Sequence, residues 1–213
     1  MINRINQTEH YVRNELKNDF SGHDWYHIHR VRQLALEIGK KENADLYICE
    51  MAALLHDIAD EKISGSEEAG LLKVRTWLET IGEKKENIET ILEIIENMSF
   101  KGGTQRKTLS LEGKVVQDAD RLDAIGAIGI GRTFAYSGAK GQLMFDPEIP
   151  VRDHMTKEEY RNGKSTAVNH FYEKLLKLKD RINTEYARKL AEERHRFMEV
   201  FLEQFRLEWD GKK

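Results

Sequence analysis

Two prolines in 213 residues, Pro147 and Pro150, leave almost the whole chain free to be helical. Long segments place apolar residues at intervals of three and four, the spacing of one helix face, and nothing in the pattern suggests a sheet. The expected fold class is therefore all-α, with helices at roughly 3–20, 24–43, 45–58, 67–82, 86–98, 109–136, 157–180 and 184–208. Asp45 and Ser66 read as N-caps, and Gly39 and Gly82 as helix ends. Two irregular stretches interrupt the helices, "SFKGGTQRK" and "SGAKGQLMFDPEIPVRD", whose glycines and prolines do not continue a helix cheaply.

A chain of this length buries a good core as one domain, expected here over 1–213: a core about 21–136, a loop about 137–155 long enough to act as a lid, and C-terminal helices over 156–209. In the last segment Leu190, Phe197, Val200, Phe201 and Phe205 alternate with charge, as in an amphipathic helix packed on the domain. With 33% charged residues but a net charge of only −3, the balance argues against a nucleic-acid polymer as partner, so any anion site is local. The single cysteine, Cys49, precludes an internal disulfide framework. It suits a reducing compartment and core packing. No apolar run approaches the roughly 20 residues that span a bilayer, and the charged N-terminus is no signal peptide, so the expectation is cytoplasmic, without a membrane.

Three weak chemical signals stand in this chain. His27, in "GHDWYHIHRV", shares a helix face with His23, Val31 and Leu34, whereas His29 is rotated away and Asp24 reads as the acid that starts the helix. His56-Asp57 ends the apolar run "MAALLHD", where a buried imidazole beside a carboxylate needs hydrogen-bond partners or a metal. In "KVVQDADRLDAIGAIGIGR", Asp118, Asp120 and Asp123 interrupt a helix whose buried side is Val115, Val116, Leu122, Ile125 and Ile128, so at least one faces inward. An inward carboxylate is costly unless paired with positive charge, and a divalent ion would neutralise it together with Asp57. The three signals thus support one another as His27, His56, Asp57 and Asp120 on one ion. Asp118 and Asp123 remain alternatives. Two imidazoles and two carboxylates suit manganese, iron, cobalt or nickel better than magnesium, and leave two positions open on an octahedral ion.

The ordered set resembles the HD-domain metal-dependent phosphohydrolases, named for a His…His-Asp…Asp signature, and within them the bacterial YpgQ/YedJ-type branch. The residues that carry the resemblance are "HDWYHIHRV", "LLHDIADEK", "DADRLDAIGAIGIGR" and "HFYEKLLKL", spread from Ser21 to Trp209. It implies an α-helical HD domain with a C-terminal helical extension. The implied activity is Mn²⁺-favoured hydrolysis of nucleoside or deoxynucleoside triphosphates to monophosphate and pyrophosphate. A 5'-nucleotidase acting on monophosphates and a nucleotide-sensing module without turnover are the alternatives, and a monomer or homodimer fits either.

On that resemblance Asp60 is the candidate to steer or deprotonate water, as a carboxylate about one helical turn beyond Asp57, and Lys62 the candidate to stabilise phosphate charge. His23, Lys101, Arg132 and Lys174 are candidate substrate contacts, and Asp123 a carboxylate that orients the ligands from outside. Asn97 stands where some subfamilies carry a further histidine, which points to one ion per site. Two decoys fall away. "RNGKST" ends like a P-loop, but position 158 is glutamate rather than glycine and no strand precedes it. "GAIGIG" reverses the glycine spacing of a dinucleotide fingerprint in helical context and reads as close helix packing.

Overall fold

The computed structural model describes residues 2–17, 24–98, 108–153 and 163–212, and only the backbone of residues 61 and 62. The chain is all-α, with no strand among the described residues. It divides into two compact units, Met1–Asp120 and Arg121–Lys213. The division falls inside a helix, upstream of the 136 at which the sequence set the end of the core.

The first unit holds α1 (Ile2–Glu15), α2 (Trp25–Glu42), α3 (Leu46–Leu55), the short α4 (Glu61–Ser64), α5 (Glu67–Thr80), α6 (Lys85–Met98) and most of α7 (Leu111–Asp123). Its centre is α3, which packs against α1, α2 and α6. Cys49 and Met51 to Leu55 are completely buried, as befits a helix that is apolar nearly all round. The exception, Glu50, accepts a hydrogen bond from Arg32 Nε at 2.7 Å, and Arg32 also reaches Glu9 at 2.8 Å, so one guanidinium ties α1, α2 and α3. Asp45 caps α3 by accepting from Tyr47 N and Ile48 N, and Ser66 caps α5, as expected.

The helix expected over 45–58 stops at Leu55 and tightens into a 3-10 turn over His56–Ala59. Helix α5 lies against this turn. A Cβ at Gly70 would stand 2.6 Å from both Cα and O of Ala59, so only a residue without one lets the two main chains meet. Gly82 ends α5's turn with a φ of +67°, as expected, but Gly39 does not end α2. The helix runs on to Asn43, while Gly39 makes room for Leu46 and Cys49.

The second unit comprises α8 (Gly126–Ala139), α9 (Ala167–Glu173), 3-10 turns at Leu175–Lys177 and Lys179–Arg181, and α10 (Glu185–Trp209). The continuous helix expected over 109–136 is in fact α7 and α8. Ile125 is extended and Gly126 has a φ of +73°, which breaks the helix where a side chain would also press on the Arg194 stem. Of the helix expected over 157–180, residues 157–162 lie outside the described residues, and the remainder is α9 followed by the two turns. On α10 the buried stripe is Ala187, Ala191, Met198 and Leu202, whereas Phe197 and Val200 face solvent. Phe201 and Phe205 join an aromatic cluster with Phe134, Phe145 and Trp209.

The loop expected as a lid is fastened along α9. Ala167 N and Val168 N donate to the carbonyls of Leu143 and Met144 at 3.1 Å, and Asn169 donates to Ile149 O at 2.9 Å. The Glu173 carboxylate accepts from Arg152 Nε and Nη2 at 2.8 Å each, and from the Ser165 hydroxyl at 3.1 Å. Glu173, within the "HFYEKLLKL" stretch, thereby anchors the loop. No helix of the described residues is long and apolar enough to cross a membrane.

Candidate metal centre

Each side chain of the first unit's site comes from the end of a helix. Asp24 caps α2 by accepting a hydrogen bond from His27 N at 2.8 Å, which sets His27 on the first turn with its ring inward, only 2% exposed. His29 faces out. The apolar helix α3 carries His56 and Asp57 into the interior at its C-terminal end, and α7 presents Asp120. One ligand atom from each of His27, His56 and Asp57 lies within 4.8 Å of the other two. The Asp57 carboxylate stands between the rings, 3.5 Å from His27 Nε2 and 3.2 Å from His56 Nε2. The rings meet edge to face, with centroids 5.5 Å apart. Asp120 Oδ1 lies 3.5 Å from His27 Nε2, and its side chain is 42% exposed.

The hydrogen bonding of His56 tests whether a cation belongs here. Its Nδ1 is 2.8 Å from the carbonyl of Ala53, an acceptor, so Nδ1 carries a proton, and in the neutral form of the ring Nε2 presents a lone pair. That Nε2 is buried and has no hydrogen-bond partner, although an Asp57 oxygen lies close by. Two acceptors facing each other in a dry interior repel, and a metal ion accepts both lone pairs. The donor set of two imidazoles and carboxylates therefore fits a divalent ion.

The remaining expected residues are distributed as follows. Asp118 is fully buried, and Asp123 is buried in an ion pair with Arg132. Arg132, expected to contact substrate, thus neutralises a carboxylate of its own chain. Lys174 is exposed just after α9, and both Arg132 and Lys174 belong to the second unit. Asp60 is half-buried, with a ψ of 136°. It closes the 3-10 turn three residues after Asp57, its N–H donating to Asp57 O at 3.0 Å, and the chain turns away after it. Asn97 donates to Glu93 O of its own helix at 2.7 Å. His23, Lys101 and the side chain of Lys62 lie outside the described residues. Within "RNGKST", Thr166 caps α9 and Ser165 binds Glu173, so both hydroxyls serve the fold. In "GAIGIG", Gly129 lies so close to Ala124 O that a Cβ would stand 2.2 Å away, in keeping with a packing role. Sequence reading missed the Ala53 carbonyl that sets the His56 tautomer, and Gly70. The first is a main-chain group without a residue signature, and the second was visible only as an isolated glycine inside a helical pattern.

The family model described as HD domain matches residues 24–125. Bacillus subtilis YpgQ is 43% identical over 212 residues, covering 99% of this chain and 96% of that protein. The crystal structure of an HD-superfamily hydrolase from Bacillus thuringiensis is 51% identical, with a TM-score of 0.79 over 98% of this chain and 97% of that one. The crystal structure of Bacillus subtilis YpgQ in complex with ADP matches with a TM-score of 0.79 at 42% identity, over 98% of this chain and 100% of that one.

Proposed function

From the premise that this chain belongs to the HD-domain family and is a metal-dependent phosphohydrolase, we propose that it hydrolyses nucleoside or deoxynucleoside triphosphates to the monophosphate and pyrophosphate. The ion in this reading is a single Mn²⁺ held by His27, His56, Asp57 and Asp120. The observation that carries the metal half is the buried lone pair of His56 Nε2 facing Asp57. The nucleotide half is supported by the ADP that YpgQ holds in its crystal structure.

When bound, the ion supplies Lewis acidity and neutralises phosphoryl charge. The chain does the rest. Ala53 O holds the proton on His56 Nδ1, so that Nε2 is always the ligating atom. Asp57, beside both imidazoles, neutralises charge where water is scarce. Asp60, at the close of the turn, takes the proton of the attacking water, and Lys62, with His23 and Lys101, binds phosphate oxygens. Arg132 is left to Asp123 in this scheme.

The test is to strip the protein of metal, reload it with Mn²⁺, and separate the products of a nucleotide panel by chromatography. Pyrophosphate and monophosphate from triphosphates are expected. Orthophosphate released from monophosphates alone would replace this reading with a 5'-nucleotidase.

A further inference from the structure

We propose that Ser64 is a positioning residue for Asp60, fastening the main chain on both sides of the candidate base so that its carboxylate keeps one place beside the turn. This rests on the reading of Asp60 given above. The 3-10 turn over His56–Ala59 closes with Asp60 N donating to Asp57 O at 3.0 Å. The ψ of 136° at Asp60 then carries the next N–H away from the carbonyl of Ile58, which a continuing helix would have bonded. The Ser64 hydroxyl takes that place and donates to Ile58 O at 2.8 Å. Ser64 N in turn donates to Asp60 O at 3.0 Å, as does Ile63 N. One residue thus bonds the carbonyl two positions before Asp60 and the carbonyl of Asp60 itself.

Helix α4, Glu61–Ser64, is four residues long, and a helix that short has no stability of its own. Its place is set by what it is bonded to. Ile58 is completely buried, so deleting the hydroxyl takes a donor from a carbonyl in a dry interior, and the chain at Asp60 is released with it.

That release bears on the chemistry through distance. A base acts only within about 2.6–3.2 Å of the proton it takes, so freedom of the main chain at Asp60 lowers the rate. The ligand atoms of His27, His56 and Asp57 stay where they are, since Ser64 bonds none of these residues.

The experiment compares Ser64→Ala, Ser64→Thr, Asp60→Asn and the Ser64→Ala, Asp60→Asn double variant in the full-length, Mn²⁺-loaded protein. Turnover is followed on the nucleotide that the wild type hydrolyses fastest, and amide hydrogen exchange reads the chain independently of turnover. Circular dichroism checks the fold, and electron paramagnetic resonance counts the ion. Ser64→Ala is expected to keep the ion and to lower kcat about 2- to 10-fold, the worth of one hydrogen bond. Exchange at Ile63 N and at the amide of residue 64 quickens, and Ser64→Thr, which keeps a hydroxyl, restores most of both. On the Asp60→Asn background Ser64→Ala changes kcat no further, because the two residues act as one unit. Unchanged kcat or unchanged exchange in Ser64→Ala, loss of its ion, or an equal fall in kcat on the Asp60→Asn background overturns the proposal. Wild-type kcat in Asp60→Asn instead overturns the reading of Asp60 as the base, and the role of Ser64 with it.

Discussion

Replacing Gly70 by alanine tests how the histidine-aspartate pair is held. The added Cβ would stand 2.6 Å from Ala59 Cα, 2.6 Å from its O and 2.8 Å from its C. These are main-chain atoms of the turn that carries His56 and Asp57, so no flexible side chain yields. Overpacking of this kind costs about 1–3 kcal/mol, while alanine gains about 1 kcal/mol in helix propensity over glycine. Because all three contacts are with backbone, the upper end applies and the net loss is about 2 kcal/mol. For a chain of this size that lowers the unfolding midpoint by roughly 4–8 °C. The turn must also shift, so Co²⁺ affinity falls together with stability. Gly131→Ala is the control: its Cβ meets nothing within 4 Å, on a helix that already tolerates one. It should stabilise by about 0.4–1 kcal/mol and leave metal binding unchanged. Thermal unfolding by circular dichroism and metal titration read both variants. A raised midpoint in Gly70→Ala with unaltered metal affinity would refute the view that α5 presses the turn into place.

Three further outcomes are expected. Burial alone would raise Glu83, but hydrogen bonds from Tyr47, Lys84 N and Asn87, with Arg4 nearby, hold its carboxyl below the usual range. Its contribution is therefore present above the unfolded carboxylate pKa and disappears as pH falls through the lower folded value. Midpoints measured from pH 7 down to about 3 should fall less steeply for Glu83→Gln than for the wild type, and parallel curves would contradict this. Arg132→Ala takes one cation from the buried Asp123 carboxylate, with Arg194 still near it, and should cost about 1–3 kcal/mol in denaturant unfolding, part of which Asp123→Asn restores; no measurable cost would free Arg132 for substrate. Burial, above all, pushes the Cys49 thiol up to about 12, so iodoacetamide at pH 8 should leave it intact in the native protein and label it in denaturant.

The helices were readable because their signal is local: apolar periodicity, caps such as Asp45 and Ser66, and the near absence of proline. The candidate ligands could be named because chemistry depends on residue type and order; the structure gathers His27, His56 and Asp57, with Asp120 Oδ1 3.5 Å from His27 Nε2. What escaped reading depends on elements that meet only after folding. The break at Gly126 lies in an apolar pattern that a continuous helix satisfies equally well, and it is the Arg194 stem, far along the chain, that the missing side chain avoids. Arg132 looked like a cation awaiting phosphate until Asp123, one helix earlier, was found buried against it.

Asp60 shows the same limit within a few residues. Its spacing from Asp57 was judged on α-helical geometry, but α5, through Gly70, lies against a 3-10 turn there, and Asp60 closes that turn with its N–H on Asp57 O. Sequence order thus names the groups that meet at this centre, while contacts made by residues with no chemistry of their own, Gly70 and the carbonyl of Ala53, decide which atom each group offers. That is why the two carboxylates of the proposed ligand set differ. Asp57 is fixed by the turn in a dry interior, whereas Asp120 is left at the edge in water, and the distinction is one of packing rather than of residue type.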